Sequence, residues 1–158
     1  MSSLSKSAKS VQDALSKKGL KFKVIELPAS TRTAHEAAQT IVCEVAQIIK
    51  SLIFKIKDTT RPILVLASGI NRVNEETIAE HVGEKVIKAD ADFSREVTGF
   101  AIGGIPPIGH ALKIETLIDQ DLLKYKELWA AAGTPNAVFS LNSADLEGLT
   151  SGKFVSIL

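Results

Sequence analysis

Residues 45–57 read VAQIIKSLIFKIK, and they alternate as a strand does. Ile48, Leu52, Phe54 and Ile56 share one face, while Ser51, Lys55 and Lys57 lie on the other with Ile49 and Ile53. Lys50 falls on the first face, among apolar side chains. A turn at 58–61 follows, then PILVLA at 62–67, a continuous apolar run typical of a buried strand. The two segments are expected to pair as a hairpin.

The rest of the chain patterns as short elements. Ala8, Val11, Ala14 and Leu15 have helical spacing and predict a helix over 7–18, stopped by Gly19. Residues 21–27 alternate as a strand that Pro28 closes. Thr33 and Glu36 have the spacing of a capping box and open a helix over 34–42. Asn74 caps a helix that ends at Gly83; a strand at 85–89 and a helix at 92–98 follow, then an irregular segment at 99–110. Strands are predicted at 115–118, 127–132, 137–141 and 154–158, with a capped helix at 143–149. Strands outnumber helices and do not alternate strictly with them. The pattern therefore predicts a mixed sheet or open barrel with flanking helices, not a doubly wound sheet. No repeat or linker interrupts residues 1–158, which read as one domain.

Composition narrows the function classes. The chain of 158 residues is 45% hydrophobic and 23% charged, as an ordinary soluble protein is. The first residues lack the apolar core of a signal peptide, and no run approaches the roughly 20 apolar residues of a membrane span. A single cysteine, Cys43, excludes an internal disulfide framework and fits a reducing cytoplasm. Net charge is +1, with basic residues scattered along the chain. That argues against a protein that holds nucleic acid mainly by neutralising phosphates, but not against a nucleic-acid substrate touched at one end.

The common catalytic motifs are absent. His35-Glu36 begins like the zinc-protease helix motif, but residue 39 is glutamine where a second histidine belongs. His81 and His110 lie far apart, and one cysteine gives no basis for a structural zinc site. There is no nucleophile elbow, no phosphate-binding P-loop and no dinucleotide fingerprint. Cys43 precedes the strand in an apolar setting and reads as a buried thiol.

Two features carry chemistry. For Lys50, either its strand lies near an edge and the side chain snorkels to water, or its amine points into an apolar cleft and meets an anionic or carbonyl ligand. The second feature is GFAIGGIPPIGH at 99–110, where two prolines fix φ and glycines bare the main-chain amides. A stiff loop with open amides suits an oxyanion or ester carbonyl; a simple turn is the plainer reading.

Taken together, TRTAHEAA (31–38), VAQIIKSLIF (45–54), RPILVLASG (61–69), TGFAIGGIPPIGH (98–110) and AAAGTPNAVFSL (130–141) have the order and spacing of a known family. Over residues 5–158 the chain resembles the YbaK/prolyl-tRNA editing family. The resemblance implies an α/β (α+β) fold with a mixed, barrel-like sheet, as a freestanding homologue of the prolyl-tRNA synthetase editing domain. It also implies a deacylase that hydrolyses the ester of a mischarged small amino acid at the acceptor 3′ end of a tRNA, with tRNA-Pro the first candidate. A synthetase is the implied partner, and neither cofactor nor metal is called for.

By position Lys50 matches the family's essential lysine, and the segment from Gly103 to Pro107 matches its ester-approaching loop. The resemblance then implies water attack on the ester, helped by a free ribose hydroxyl. Amides of Gly103, Gly104 or Ile105 hold the oxyanion, and Lys50 positions the terminal phosphate or the ester. Substrate contacts are expected from Thr31, Arg32, Leu52 and Phe54, and from Ile105, Pro106, Pro107 and His110 of the loop; for Phe54 core packing is the plainer reading, and Thr33 is either a wall or, more plainly, a helix cap. The family's cysteine-specific branch carries an aspartate where this chain reads GTPNAVF, with Asn136 at a comparable place. Alanine, serine or threonine is therefore favoured over cysteine as the group removed. Two other classes stand beside this one: a non-catalytic module that binds tRNA ends or nucleotides, and a hydrolase of another small ester.

Overall fold

The computed structural model describes residues 4–29 and 33–158. Its centre is the expected hairpin. β2 (Ile48–Ile56) pairs antiparallel with β3 (Pro62–Ser68) along nearly its whole length, with Lys50 opposite Ala67 and Phe54 opposite Ile63. Before it come α1 (Lys6–Lys17), β1 (Ile25–Glu26) and α2 (Ala34–Ile41). After it come α3 (Glu75–Val82), β4 (Val86–Lys88), α4 (Ala91–Thr98), β5 (Glu115–Asp119), β6 (Glu127–Ala131), β7 (Ala137–Asn142), α5 (Leu146–Thr150) and β8 (Lys153–Val155).

These strands make one mixed sheet in the order β1-β7-β6-β2-β3-β5-β8. The pairs β2–β6, β3–β5 and β5–β8 are parallel, and the others antiparallel. Helices flank the sheet, as the uneven succession of strands and helices predicted. β3 is apolar on both faces because both are covered. Leu64 and Leu66 pack with α1 and Phe139 in the larger core, while Ile63, Val65 and Ala67 pack with Ile78 of α3 in the second. Each such valine, leucine or isoleucine side chain contributes roughly 1.5–3 kcal/mol by leaving water.

One irregularity of the sheet makes room for a site. On the edge of β2 away from β3, β6 pairs only with Ile48 and Ile49, and β4 joins only at Phe54, Lys55 and Ile56. Among the described residues no strand covers residues 50–53 on that edge. Lys50 therefore sits at a split in the sheet, where the irregular segment 99–110 comes in.

Local chemistry explains where the elements depart from the pattern. The strand expected over 21–27 is only Ile25–Glu26. The Gln12 side chain donates to the Phe22 carbonyl at 3.0 Å and accepts from the Val24 amide at 2.8 Å, taking groups a ladder would use. Residues 45–47 form a 3₁₀ turn because Glu44 and Gln47 cap it reciprocally. The strand expected over 154–158 ends at Val155, since the carbonyl of Ile157 accepts from the Asn74 amide and that of Leu158 from Thr77. Residues 143–149 divide into a 3₁₀ turn and the short α5. No helix among the described residues is long and apolar enough to cross a membrane.

Candidate functional site

Lys50 is half-buried, and its ammonium donates to the main-chain carbonyl of Asn71 at 2.6 Å. Asn71 is itself fixed: its side-chain amide donates to Asp119 Oδ2 and Asp121 Oδ2, each at 2.8 Å. Asp119 closes β5 and is buried, accepting also from the amides of Ser68 at 3.0 Å and Asp121 at 2.9 Å. Burial pushes the Lys50 amine below its ordinary pKa of 10.5, and the charge of Asp119 offsets part of that fall. Asn71 holds the Asp121 carboxyl below its ordinary range, with help from Lys124. The amine is thus tethered at an uncovered stretch of the β2 edge, with its side chain half-buried.

The loop across from Lys50 is pinned at both ends. Thr98 Oγ1 accepts from the Phe100 amide at 3.0 Å, and the amides of Ala111 and Leu112 return to the carbonyls of Thr98 and Val97. Between these pins, Gly103 takes a φ of +94°, which glycine adopts without strain. Among the described residues the amides of Gly103 and Ile105 donate to no main-chain carbonyl. Gly104 differs. Its amide donates to Ala101 at 3.0 Å and its carbonyl accepts from Gly133 at 2.8 Å, so it cannot serve as an oxyanion donor. Its lack of a side chain serves packing, because a Cβ there would lie 2.9 Å from the Thr134 backbone.

Lys50, Leu52, Gly103 and Ile105 border one hollow of about 260 Å³, lined also by Ala37 and Ile41 of α2 and by Trp129. That lies under the roughly 300–1,000 Å³ of pockets for drug-sized ligands, and it suits a small acyl group. A second hollow of about 390 Å³ adjoins it, sharing Lys50, Ser51, Leu52, Ile102 and Ile105 and carrying Arg72, Glu75 and Lys88. Ile102, exposed at the loop tip, borders both. Two buried polar atoms have no partner among the described residues, Ser51 Oγ and Trp129 Nε1, and both residues line the first hollow.

The remaining expected contacts lie elsewhere. Phe54 is 4% exposed and belongs to the α3 core, touching only the second hollow. Pro106 is buried, and its carbonyl accepts from His110 Nε2 at 2.7 Å. Pro107 and His110 border a different concavity on the reverse of the loop. Asn136 is a tie rather than a wall: its Nδ2 donates to the Leu27 carbonyl at 2.9 Å, and its Oδ1 accepts from Thr134. Thr33 caps α2 through the Glu36 amide at 3.1 Å and also borders the first hollow. Thr31 and Arg32 lie outside the described residues. Cys43 is half-buried, and burial with nearby Glu127 and Glu44 pushes its thiol up, away from reactivity.

Sequence reasoning missed Asn71, Asp119, Ser51 and Ile102. Asp119 was the findable one, an acid ending the apolar strand ETLID. Among the described residues no three His, Cys, Asp or Glu side chains group as metal ligands.

A mixed sheet split beside a tethered lysine, with a glycine–proline loop at the gap, makes a pocket of amino-acid size. The chain matches the aminoacyl-tRNA editing domain over residues 28–149 and belongs to that family, one of aminoacyl-tRNA deacylases. It superposes on the crystal structure of a proposed trans-editing enzyme for prolyl tRNA synthetase with a TM-score of 0.92 and 46% identity, covering 98% of each chain. It is 28% identical over 147 residues to the uncharacterised protein YwhH of Bacillus subtilis, covering 93% of each. Over 94 residues, 57% of the chain, it is 33% identical to the proline–tRNA ligase of Limosilactobacillus fermentum, of which it spans only 16%.

Proposed function

We propose that the protein is a trans-editing deacylase, which hydrolyses the ester of a mischarged small amino acid on the 3′ end of a tRNA, tRNA-Pro first among candidates. One observation carries the reading: Lys50, Gly103 and Ile105 line the same acyl-sized hollow, and the amides of Gly103 and Ile105 donate to no main-chain carbonyl among the described residues. Water attacks the ester carbonyl, and the two amides receive the oxyanion. Preorganised donors of this kind contribute about 3 kcal/mol each. Lys50 fixes the ester end relative to them, a positioning role. The adjoining hollow with Arg72 and Lys88 suits the terminal nucleotide and its phosphate.

Selection is by size. A methyl or hydroxyl is worth only about 1–3 kcal/mol in an apolar pocket, so a second sieve is needed after synthesis. A prolyl-tRNA synthetase is the natural partner, because part of this chain is similar to a stretch of proline–tRNA ligases.

The test is deacylation of tRNA-Pro charged with alanine, serine, threonine and cysteine, by the wild type and by Lys50→Ala. Hydrolysis by the wild type and a loss of at least a hundredfold in a folded variant support the proposal. Equal inertness toward every charged tRNA overturns it in favour of a binding module.

A further inference from the structure

The reverse side of the glycine–proline loop faces an open trough of about 940 Å³, separate from the Lys50 hollow. Four cations line it, each from a different part of the chain: Lys18 at the end of α1, Arg61 in the β2–β3 turn, Lys113 before β5 and Lys153 opening β8. The one carboxylate among the lining residues, Glu115, is held by Arg61 at 2.7 Å. Lys18, Lys113 and Lys153 have no ion-pair partner among the described residues, and all three are exposed. His81 and His110 complete the wall.

A chain of net charge +1 has thus gathered unpaired positive charge on one concave face. Concave like-signed surfaces focus the field and attract the opposite charge. The lysines are scattered in the sequence, and the fold brings them together.

We infer that this trough is a second nucleic-acid contact, which seats the phosphodiester backbone of an RNA duplex apart from the chemistry at Lys50. Around an apolar floor that includes Ile108, Leu112 and Leu149, the charged groups free to meet a ligand are the three lysines, which contact phosphate and carry little base information. Position fits a duplex whose end reaches the hollow. Pro62 borders the trough at the start of β3, and Ala67, opposite Lys50, lies five residues on, about 17 Å along the strand. That is several phosphate spacings of a duplex. The loop touches both places, with Gly103 and Ile105 toward the hollow and Pro107 and His110 toward the trough.

The experiment uses uncharged RNA, so it does not depend on hydrolysis. Binding of a fluorescein-labelled acceptor-stem hairpin to the full chain is followed by anisotropy from about 0.05 to 0.2 M salt. Two variants with the same change in net charge are compared, Lys18→Glu/Lys113→Glu/Lys153→Glu in the trough and Lys9→Glu/Lys57→Glu/Lys126→Glu outside it. The trough variant should bind at least about tenfold more weakly and lose about 2 to 3 from the log–log salt slope, near 0.9 per lost contact. The control should change less than about threefold. Equal weakening of both overturns the inference, as does competition by an acidic peptide with no RNA binding at all. Should the triple variant not fold, the single Lys→Ala variants serve, each lowering the slope by about one.

Discussion

The ammonium of Lys50 rests 2.6 Å from the carbonyl of Asn71, its one hydrogen bond among the described residues. That carbonyl is held by the Asn71 side chain, which bridges Asp119 and Asp121. A residue 21 positions away therefore sets where the amine stands.

Asn71→Ala should release that tether. The buried Asp119 loses a donor, at a cost of about 1.5–3 kcal/mol for a hydrogen bond to a charged group. Deacylation should fall about tenfold, mostly in kcat, because a misplaced group costs more in the transition state than in binding. A second readout separates positioning from mere stability. The Lys50 amine, followed by pH-dependent labelling, should titrate below 10.5 in the wild type and move back toward it in Asn71→Ala. An unchanged titration would show that Asn71 does not place Lys50.

Gly104→Ala tests the loop without touching the hollow. The new Cβ meets the Thr134 Cα and N at 2.9 Å, both backbone atoms, so the loop must move. Overpacking of this kind costs about 1–3 kcal/mol. A fall in the melting temperature together with lost deacylation is expected. Full activity at wild-type stability would mean that the loop's position is not critical.

The residues that were legible in the sequence are those whose role is local. The β2–β3 hairpin follows from alternation and an apolar run, and the caps at Thr33 and Asn74 from hydroxyl and amide side chains before helical patterns. Lys50 was visible as a polar residue in an apolar row. Residues whose role depends on distant partners were not. Asn71 is meaningful only beside Asp119, 48 positions on. Gly104 looks like an open amide until Ala101 and Gly133 are seen to engage it. Asn136 reads as a ligand group until its bond to Leu27, 109 positions away, is in view. The basic trough was missed for the same reason, since charge counted along a chain does not report charge gathered in space.

Ser51→Ala addresses the acyl hollow. Its hydroxyl is buried without a partner among the described residues, so its loss removes an unpaired polar group. Stability should be unchanged or higher by about 1 kcal/mol. If the hydroxyl meets the acyl side chain, hydrolysis of serine and threonine esters should fall several-fold more than that of the alanine ester. Equal effects on all three esters would remove Ser51 from selection.

The imidazole of His110 makes the loop's stability depend on pH. Burial pushes it below its ordinary value of 6.5, and the bond to the Pro106 carbonyl recovers part of the fall. Its neutral form donates from Nε2 to that carbonyl, and a second proton would have to enter a partly buried ring. The unfolded chain therefore binds more protons than the folded one just below pH 6.5. The stabilisation is fully present above the unfolded pKa and is lost as pH falls through the lower folded one. Urea midpoints taken at pH 7.5 and pH 5 should drop more for the wild type than for His110→Gln, whose amide can still donate to Pro106 but does not titrate. Parallel drops in the two proteins would place the acid sensitivity elsewhere.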